Sequence, residues 1–346
     1  MILVLNCGSQ SIKWKVFNNG LKVVNKGKCE ILDSLDFEKI LAGELSKIKE
    51  DISMVGHRVV HGKDIFREPV EITNENIKEL EKLSCLDPLH NPFNVLGIKT
   101  CQKIFLGVPQ IAVFDTEFFK DLPEVAYTYG LPAEVVKEFG FKRYGFHGIS
   151  HEYVAGQAVE KVKKPFEKLK IITCHLGGGA SITAIRNGKV VDTSMGFTPM
   201  QGLVMMTRAG DMDSGIVLDL AQKFGAEKTD DILNKESGVK GICGEGEMLK
   251  VLSRLERDPS VAGEKNKYQL ALDVFVYSIQ KYIGSYFAIL GGCDILVFTG
   301  AIGSGSAKIR SMITKNLNIL KKTRILAIET DEELAIATKI LEYGKK

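Results

Sequence analysis

The chain has 346 residues, of which 45% are hydrophobic and 26% charged, and its formal net charge is +3. This composition excludes a disordered, collagen-like or coiled-coil protein, and the small net charge argues against a broad nucleic-acid-binding surface. A chain of this length buries a large core and usually forms two domains.

Apolar periodicity and turn residues predict strands and helices that alternate along the chain, which indicates the α/β class. In chain order, we expect two strands within 2–17, strands at 52–60 and 111–114, a meander within 170–193, and strands at 295–299 and 324–328. We expect helices at 74–83, 150–163, 214–224 and 268–290, and a final helix that ends at Gly344.

Turn and cap signals mark the ends of several of these elements. Asn19-Gly20 and Asn187-Gly188 are typical of two-residue hairpin turns. Ser150 is expected to cap the helix that follows it, and Thr330 with Glu333 has the spacing of a capping box.

Neither secretion nor membrane insertion is indicated. The apolar run at residues 1–5 is too short for a signal peptide, and the apolar stretch 268–290 carries Asp273 and Lys281, which indicates a buried helix. Seven cysteines, an odd number without a Cys-x-x-Cys pair, are typical of reduced thiols and argue against zinc. We therefore expect a cytoplasmic enzyme whose partners include neither a membrane nor a nucleic acid.

The sequence contains an internal repeat. Residues 2–16 and 171–185 each consist of an apolar run, a tight loop of small residues and a second β-rich run. Ser11-Ile12 aligns with Ser181-Ile182, an offset of 170 residues (181 minus 11) that is close to half the chain. Two similar halves, each with a small-residue loop at the end of a strand, predict a cleft that holds a phosphate chain from both sides.

Two glycine-rich segments and one lysine are candidates for binding that phosphate. Gly177–Gly179 and Gly300–Gly305 allow backbone N–H groups to approach an anion, and Lys13 lies just past the first loop. Neither segment matches a P-loop or a dinucleotide fingerprint. Any one of these loops alone is more often a simple turn, but the duplication, Lys13 and the third loop together favour phosphate binding.

The histidines and two arginines suggest an anion site rather than a metal site. All six histidines lie between 57 and 175, and glycines interrupt the two His-x-x-x-His spacings, which disfavours zinc. His57 is expected to be a hydrogen-bonded core residue. Arg58 and Arg208 stand in apolar or glycine-rich contexts, so each must reach solvent, a salt bridge or a bound anion.

Nine segments spread over the whole chain resemble the motifs of the acetokinase family, which contains the acetate, propionate and butyrate kinases. They are Asn6-Cys-Gly-Ser-Gln-Ser-Ile-Lys13, Gly56-His-Arg-Val-Val-His-Gly62, Pro88-Leu-His-Asn-Pro92, Phe114-Asp-Thr116, Arg143-Tyr-Gly-Phe-His-Gly-Ile-Ser-His151, Cys174-His-Leu-Gly-Gly-Gly-Ala-Ser181, Asp192-Thr-Ser-Met-Gly-Phe-Thr-Pro199, Thr207-Arg-Ala-Gly-Asp211 and Asp331-Glu-Glu-Leu-Ala-Ile-Ala337.

The resemblance implies the two-lobed, duplicated fold of the actin-like ATPases, which is ribonuclease H-like in each lobe. It places an N-terminal lobe on the acyl-substrate side at 1–119 and 334–346, and a C-terminal, nucleotide-binding lobe at 120–333. It also implies a homodimer.

The resemblance further implies reversible phosphoryl transfer between ATP and a short-chain carboxylate, with Mg²⁺ (Mn²⁺ as the alternative) as cofactor. The implied catalytic residues are Asp115, His147 and Arg208. The implied carboxylate-binding residues are Arg58, Val60, Leu89, Phe146 and Pro199. The implied ATP-binding residues are Lys13, His175, Leu176, Gly177, Gly178, Gly179, Ala301, Ile302, Gly303, Ser304 and Gly305. The implied metal-side residues are Asn6 and Glu332.

These roles agree with elementary chemistry, with one exception. In phosphoryl transfer a protein mainly positions the reactants and neutralises the phosphoryl oxygens, which suits His147 and Arg208. The family commonly gives Asp115 a role in proton transfer, but a carboxylate substrate arrives ionised. We therefore interpret Asp115 as a residue that orients Arg58 or a metal-bound water. The simpler alternatives are a turn residue for Asp115 and a helix-capping residue for Glu332.

The chain departs from the family on the nucleotide side. The family usually has Gly-Asn-Gly where this chain has Gly177–Gly179, and Gly-Ile-Gly-Glu-Asn where it has Ala301–Gly305. The stretch 244–249, near the expected nucleoside contact, also matches poorly. The carboxylate assignment is therefore firmer than the donor assignment, and three alternatives stay open: a propionate or butyrate kinase, a donor such as pyrophosphate, and a non-catalytic nucleotide-binding protein.

Overall fold

A mixed β-sheet lies in each of the two units into which the chain divides. The computed structural model describes residues 1–8, 11–31, 36–85, 90–257 and 267–345. The first unit comprises Met1–Lys120, Phe146–Tyr153 and Asp331–Lys346, and the second comprises Asp121–Gly145 and Val154–Thr330. The domain boundaries that the sequence suggested stay a prediction.

The strands, in chain order, are β1 (Ile2–Cys7), β2 (Ser11–Phe17), β3 (Val23–Glu30), β4 (Met54–Val59), β5 (Val70–Glu71), β6 (Gln110–Phe114), β7 (Lys170–Leu176), β8 (Ala180–Arg186), β9 (Lys189–Thr193), β10 (Ile295–Thr299) and β11 (Arg324–Ala327). The α-helices are α1 (Phe37–Leu45), α2 (Asn76–Lys82), α3 (Asn91–Ile104), α4 (Glu124–Tyr127), α5 (Ala133–Phe139), α6 (Gly148–Val162), α7 (Ser214–Phe224), α8 (Ala226–Asp231), α9 (Gly238–Cys243), α10 (Met248–Arg257), α11 (Lys267–Leu290), α12 (Gly300–Gly303), α13 (Ala307–Thr314) and α14 (Glu332–Tyr343).

The two sheets have the same topology, which confirms the duplication predicted from the internal repeat. The first sheet has the order β3-β2-β1-β4-β6-β5 and the second the order β9-β8-β7-β10-β11. In each, the first three strands in sequence are antiparallel neighbours, and two later strands add in parallel beside the first. The carboxyl ends of the parallel strands therefore meet at one edge of each sheet.

The pairing register also shows how the halves differ. Ile12 pairs with Cys7, and the aligned Ile182 pairs with Cys174. The partners are five positions apart in the first hairpin (12 minus 7) and eight in the second (182 minus 174). The second hairpin therefore extends three residues further, and Gly177–Gly179 form its tip.

β1 explains why the N-terminal sequence is continuously apolar. Side chains alternate between the two faces of a strand, and both faces of β1 are covered. Leu3 and Leu5 pack with the cluster that contains Phe37 of α1, whereas Val4 packs with Ile336 of α14 on the other face. The final helix is therefore part of the core of the first unit.

One hairpin turn follows its sequence signal and the other does not. Asn187 and Gly188 both have positive φ, 55° and 78°, as a tight two-residue turn requires. After β2, by contrast, Leu21 has the positive φ of 57°, and the Asn18 side chain accepts bonds from the N–H groups of residues 20 and 22. The Asn18 amide thus stabilises a longer turn than Asn19-Gly20 predicted.

Two predicted helix caps were wrong, although the helices form. α6 begins at Gly148, two residues before the expected cap, and Ser150 is buried within it. α14 is capped by Asp331, whose carboxylate accepts the Leu334 N–H at 2.9 Å, rather than by Thr330. It ends at Gly344 as predicted. The predicted bounds of α7 and β10 are confirmed.

The longest helix, α11, is buried along one side, as the charged residues within it predicted. No helix in the described part of the chain combines the length and the apolar character that a membrane crossing needs.

His57 in β4 is a buried neutral histidine, as predicted. Its Nε2 lies 2.7 Å from Oε1 of Gln110, and the Gln110 amide nitrogen donates to the Val108 carbonyl at 3.1 Å. Because Gln110 Oε1 is therefore an acceptor, His57 Nε2 carries the proton that it donates. Burial lowers the pKa of His57 to about 4, against the opposing effect of the Gln110 bond.

This lowered pKa predicts acid lability. The unfolded chain binds a proton at His57 near pH 6.5 and the folded chain only near pH 4, so stability is present above pH 6.5 and is lost as the pH falls through that window. Between pH 7 and pH 5, His57 alone should lower the free energy of unfolding by about 2 kcal/mol. Denaturant titrations of the wild type and His57→Leu at both pH values check this. Equal pH dependence in the two proteins would contradict it.

Candidate active site

Three polar side chains of the first unit meet around the guanidinium of Arg58. Its Nη2 and Nε bond Oδ2 and Oδ1 of Asp115 at 2.6 and 3.3 Å, and its Nη1 donates to Oδ1 of Asn6 at 3.2 Å. The same Nη1 lies 3.5 Å from Oε2 of Glu332, which also accepts a bond from Asn6 Nδ2 at 3.2 Å. One cation is therefore shared by two carboxylates and an amide.

The strand order brings these residues together. Asn6 and Arg58 lie near the carboxyl ends of the adjacent parallel strands β1 and β4, and Asp115 directly follows the next strand, β6. The Asp115 N–H donates to the Val59 carbonyl at 2.9 Å and so continues the sheet by one bond. Glu332 approaches from outside the sheet as the first residue of α14.

Burial makes this ion pair tight. The Asp115 side chain is 1% exposed and that of Arg58 17%. Burial raises the pKa of Asp115 and outweighs the lowering by Arg58. Burial lowers the pKa of Arg58, but the attraction of Asp115 and then Glu332 is larger in sum and shifts it upward. Arg58 therefore keeps its charge, and both oxygens of Asp115 are occupied by it.

The loop after β4 is held by side chains that the sequence patterns did not single out as functional. The N–H groups of Val60, His61 and Gly62 donate to Asn94 Oδ1, Asn91 Oδ1 and Thr116 Oγ1 at 3.1, 3.0 and 3.2 Å. The available signal for this role was the presence of two buried amides, Asn91 and Asn94, in the otherwise amphipathic helix α3. The loop that presents Val60 is therefore fixed by α3 and by the residue after Asp115.

A strained residue and a glycine bring His147 beside Asp115. His147 has a positive φ of 58°, which is unusual outside glycine. The next residue, Gly148, donates its N–H to the Asp115 carbonyl at 3.0 Å, and a Cβ at this glycine would lie 2.0 Å from that oxygen. Phe146 is 1% exposed and packs edge-on against the His61 ring, with 5.3 Å between ring centroids.

In the second unit the two glycine-rich segments are neighbours. β7 and β10 are parallel and adjacent, so Leu176 and Gly300 lie at the same sheet edge. Gly300 has φ of 77°, and a Cβ there would lie 2.6 Å from the Leu176 carbonyl oxygen. Residues 300–303 form one helical turn rather than the predicted open loop, and Arg310 donates to the carbonyls of Gly303 and Ser304 at 2.9 and 2.7 Å.

Arg208 and Pro199 also meet within the second unit. Arg208 Nη1 donates to the Pro199 carbonyl at 3.3 Å. The segment that leads to Pro199 is held by Arg143, whose Nη1 donates to the carbonyls of Thr193, Ser194 and Met195 at 3.0 to 3.2 Å. Arg143 belongs to a motif that the sequence singled out, but its clamping of this segment was not predicted.

The predicted site residues therefore fall into two groups. The first unit holds Asn6, Lys13, Arg58, Val60, Asp115, Phe146, His147 and Glu332, and Lys13 is exposed directly opposite Asn6 on β2. The second unit holds His175–Gly179, Pro199, Arg208 and Ala301–Gly305. Leu89 lies outside the described residues. That the two groups act on one substrate stays a prediction.

Comparisons with known proteins agree with one another over the whole chain. Residues 31–343 match the family described as the acetokinase family. Acetate kinase of Halothermothrix orenii is 40% identical, with 97% of each chain covered. The crystal structure of Porphyromonas gingivalis acetate kinase is similar at a TM-score of 0.87 and 34% identity, covering 99% of this chain and 98% of that one. A propionate kinase structure from Francisella tularensis is similar at a TM-score of 0.87 and 35% identity, covering 98% of both.

The bonds that fix the loop after β4 predict a stability effect. Asn94 accepts from the Val60 N–H and donates to the Cys7 carbonyl at 2.6 Å, so Asn94→Ala leaves two buried backbone groups unsatisfied. The free energy of unfolding should fall by roughly 2 kcal/mol or more. Asn25→Ala removes an amide whose bond to Glu50 is peripheral and should change stability by at most about 0.5 kcal/mol. Denaturant midpoints that move equally in both variants would refute the role of Asn94.

Proposed function

We infer that this chain, which belongs to the acetokinase family, is a phosphotransferase with a carboxylate as acceptor. It catalyses the reversible transfer of a phosphoryl group between ATP and acetate, which gives acetyl phosphate and ADP. The similarity to acetate kinases over nearly the full length of both chains carries this conclusion. Its two repeated sheets have the duplicated fold of the actin-like ATPases.

We propose that Arg58 binds the carboxylate of the acceptor. A guanidinium matches a carboxylate in planar, bidentate geometry, and the charge of Arg58 is secured by Asp115. Val60, Leu89 and Phe146, with Pro199, would enclose the acyl group. The buried ring of Phe146 and the fixed backbone of Val60 support a small pocket of constant shape.

The chemical step needs no proton transfer at the acceptor. One carboxylate oxygen attacks the γ-phosphorus, the new O–P bond forms, and the bond to the ADP oxygen breaks in line with it. Both Asp115 oxygens face Arg58, which supports our interpretation that Asp115 orients the guanidinium rather than acting as a base. His147 and Arg208 would neutralise the equatorial oxygens of the migrating phosphoryl group.

The family requires ATP and a divalent metal ion, and the residues present fit such an ion. Glu332 Oε2 accepts a bond from the amide nitrogen of Asn6 at 3.2 Å, so a carboxylate and a side-chain amide lie side by side, and hard oxygen donors suit Mg²⁺. We propose that these two residues hold Mg²⁺, with Mn²⁺ as the alternative. When bound, the ion would offset the negative charge of the phosphates.

We propose that ATP phosphates contact Lys13 and the two glycine-rich segments, His175–Gly179 and Ala301–Gly305. The adjacency of these segments at the ends of β7 and β10 supports this role. The departures from the family lie in the same segments. Nothing lies within 4 Å of the position that a Cβ would take at Gly178, so packing does not explain the missing asparagine. Pyrophosphate is therefore retained as the alternative donor.

Propionate is the second candidate acceptor, because the propionate kinase from Francisella tularensis has the same TM-score as the acetate kinase. We also propose a cytoplasmic homodimer. The cytoplasmic location is supported by six free thiols, those of Cys7, Cys29, Cys101, Cys174, Cys243 and Cys293. The dimer is supported by large exposed apolar residues of the second unit, among them Ile216, Leu218 and Tyr277. A solution mass equal to one chain would refute the dimer.

A donor-by-acceptor activity matrix tests the function. ATP, GTP and pyrophosphate are each combined with acetate, propionate and butyrate, and acyl phosphate is trapped as the hydroxamate. We expect ATP with acetate to have the highest kcat/KM, and propionate to be discriminated by about 1–3 kcal/mol because it adds one methylene. Absence of product in every combination would favour a nucleotide-binding protein without catalysis.

Arg208 should affect turnover far more than folding. Arg208→Ala removes a guanidinium that we assign to the transition state, so kcat should fall at least about 100-fold while the thermal midpoint moves little. Arg186→Ala, at an exposed position of β8, is the matched control and should leave both unchanged. Wild-type kcat in Arg208→Ala would exclude the proposed role.

A further inference from the structure

A second ion cluster, partly buried, lies in the first unit. Lys339 of α14 places its Nζ 2.7 Å from Oε1 of Glu117 and 2.8 Å from Oε2 of Glu152. The side chains of Lys339 and Glu117 are 19% and 12% exposed, whereas Glu152 is 42% exposed. One ammonium thus holds two carboxylates, and the proposed chemistry uses none of the three residues.

The cluster shares two segments with the Arg58 site, the one after β6 and α14, and it adds the start of α6. Glu117 follows Asp115 by two residues, and Glu152 lies on α6 one turn after Gly148, next to His147. Lys339 follows Glu332 on α14 by seven residues, which is nearly two full turns or about 10 Å, so both project from the same side of the helix. The segment after β6 is therefore linked twice to α14, through Arg58 and through Lys339. It is also linked twice to the start of α6, through the Gly148 N–H and through the cluster.

The energetics indicate a positional role. Two carboxylates and one ammonium leave a net negative charge in a mostly buried place, and Glu117 Oε2 has no hydrogen-bond partner among the described residues. Burial raises the pKa of Glu117, although Lys339 opposes this. Buried ion pairs stabilise a fold little compared with apolar packing of the same volume, but they tolerate only small displacements. The cluster therefore restrains where α14 lies more than it stabilises the fold.

Apolar packing alone would leave the position of α14 on the sheet loosely defined. α14 contacts the sheet through Ile336 and Ile340, and dispersion contacts of this kind are non-directional. Gly56 lies under these side chains without one of its own and adds no directional contact. The ion cluster adds a directional restraint on α14 two turns from Glu332, besides the pairing of Lys15 with Asp331 and Glu333 at the start of the helix. Glu332 itself lies 3.5 Å from Arg58.

We propose that Lys339 is a positioning residue for phosphoryl transfer, which holds Glu117 and Glu152 and thereby sets Asp115, His147 and Glu332 at their working distances. This role rests on the proposed function. The proposed chemistry assigns no substrate contact to Lys339 or Glu117, so both would act only through the segments that they join.

The first test compares three variants in kinetics. Lys339→Met should lower kcat by about 10- to 100-fold, as the loss of a group that orients reactive residues does, while KM for acetate changes little. Lys339→Arg keeps the charge and should recover most of the lost kcat. Ile340→Val loosens apolar packing at the residue next to Lys339 on α14 and should leave kcat at the wild-type value. A wild-type kcat in Lys339→Met, or an equal loss in Ile340→Val, overturns the proposal.

A second comparison separates positioning from simple destabilisation. Lys339→Met leaves two carboxylates without their cation, so the triple variant Lys339→Met/Glu117→Gln/Glu152→Gln removes all three charges. We expect the triple variant to regain thermal stability while its kcat stays low and the backbone amides at the start of α14 exchange hydrogen faster than in the wild type. Recovery of kcat together with stability, or unchanged exchange, shows a merely structural cluster and overturns the role.

The turnover of the wild type distinguishes a failure of the positioning role from a failure of the proposed function. An active wild type with an unaffected Lys339→Met overturns the positioning role alone. A wild type that phosphorylates no short-chain carboxylate overturns the proposed function, and the positioning role fails with it.

Discussion

The first unit is organised around one constraint, the need to compensate the charge of a buried guanidinium. Arg58 is placed at the end of a central strand with little access to water, and a cation there is tolerated only beside negative partners. Asp115 meets that need with both carboxylate oxygens, and Asn6 and Glu332 occupy the remaining nitrogen. The ends of β1, β4 and β6 and the start of α14 therefore have to converge. The same convergence fixes the guanidinium at the edge of the sheet, where we propose that it meets the carboxylate of the acceptor.

The two halves of the chain share one topology but present different groups at the corresponding edge of the sheet. Both sheets combine an antiparallel hairpin with parallel strands whose carboxyl ends share an edge. In the first sheet that edge carries charged and amide side chains. In the second it carries backbone, because Gly300 allows the turn after β10 to approach the Leu176 carbonyl at the end of β7 closely. Side chains recognise a planar carboxylate well, whereas converging N–H groups suit phosphate oxygens, so the division follows from the ligands that we assign to each half.

Local patterns predicted the bounds of an element well where no second local signal competed. The apolar run of β10 gave its bounds correctly, since all five of its residues are buried. The predicted bounds of α7 agree with its ends, because Asp213 caps its first turn and Gly225 follows its last residue. Predictions failed where two local signals competed. Thr330 has a capping-box partner, yet Asp331 is the cap, because its carboxylate reaches the Leu334 N–H and also pairs with Lys15 on β2. Asn19-Gly20 resembles a tight turn, yet the Asn18 amide stabilises a longer one.

The sequence by itself determined the α/β class, the duplication, the glycines at close approaches and the family to which the chain belongs. All of these depend on short-range periodicity or on motifs of a few residues. The tertiary structure decided which polar groups meet: of the two partners considered for Asp115, it pairs the carboxylate with Arg58, 57 positions away. It also joins Lys339 with Glu117 across 222 positions and Asn6 with Glu332 across 326. Such pairs depend on strand order, register and the return of the last helix to the first sheet. A local pattern contains no information on these, because they result from burial summed over the whole chain.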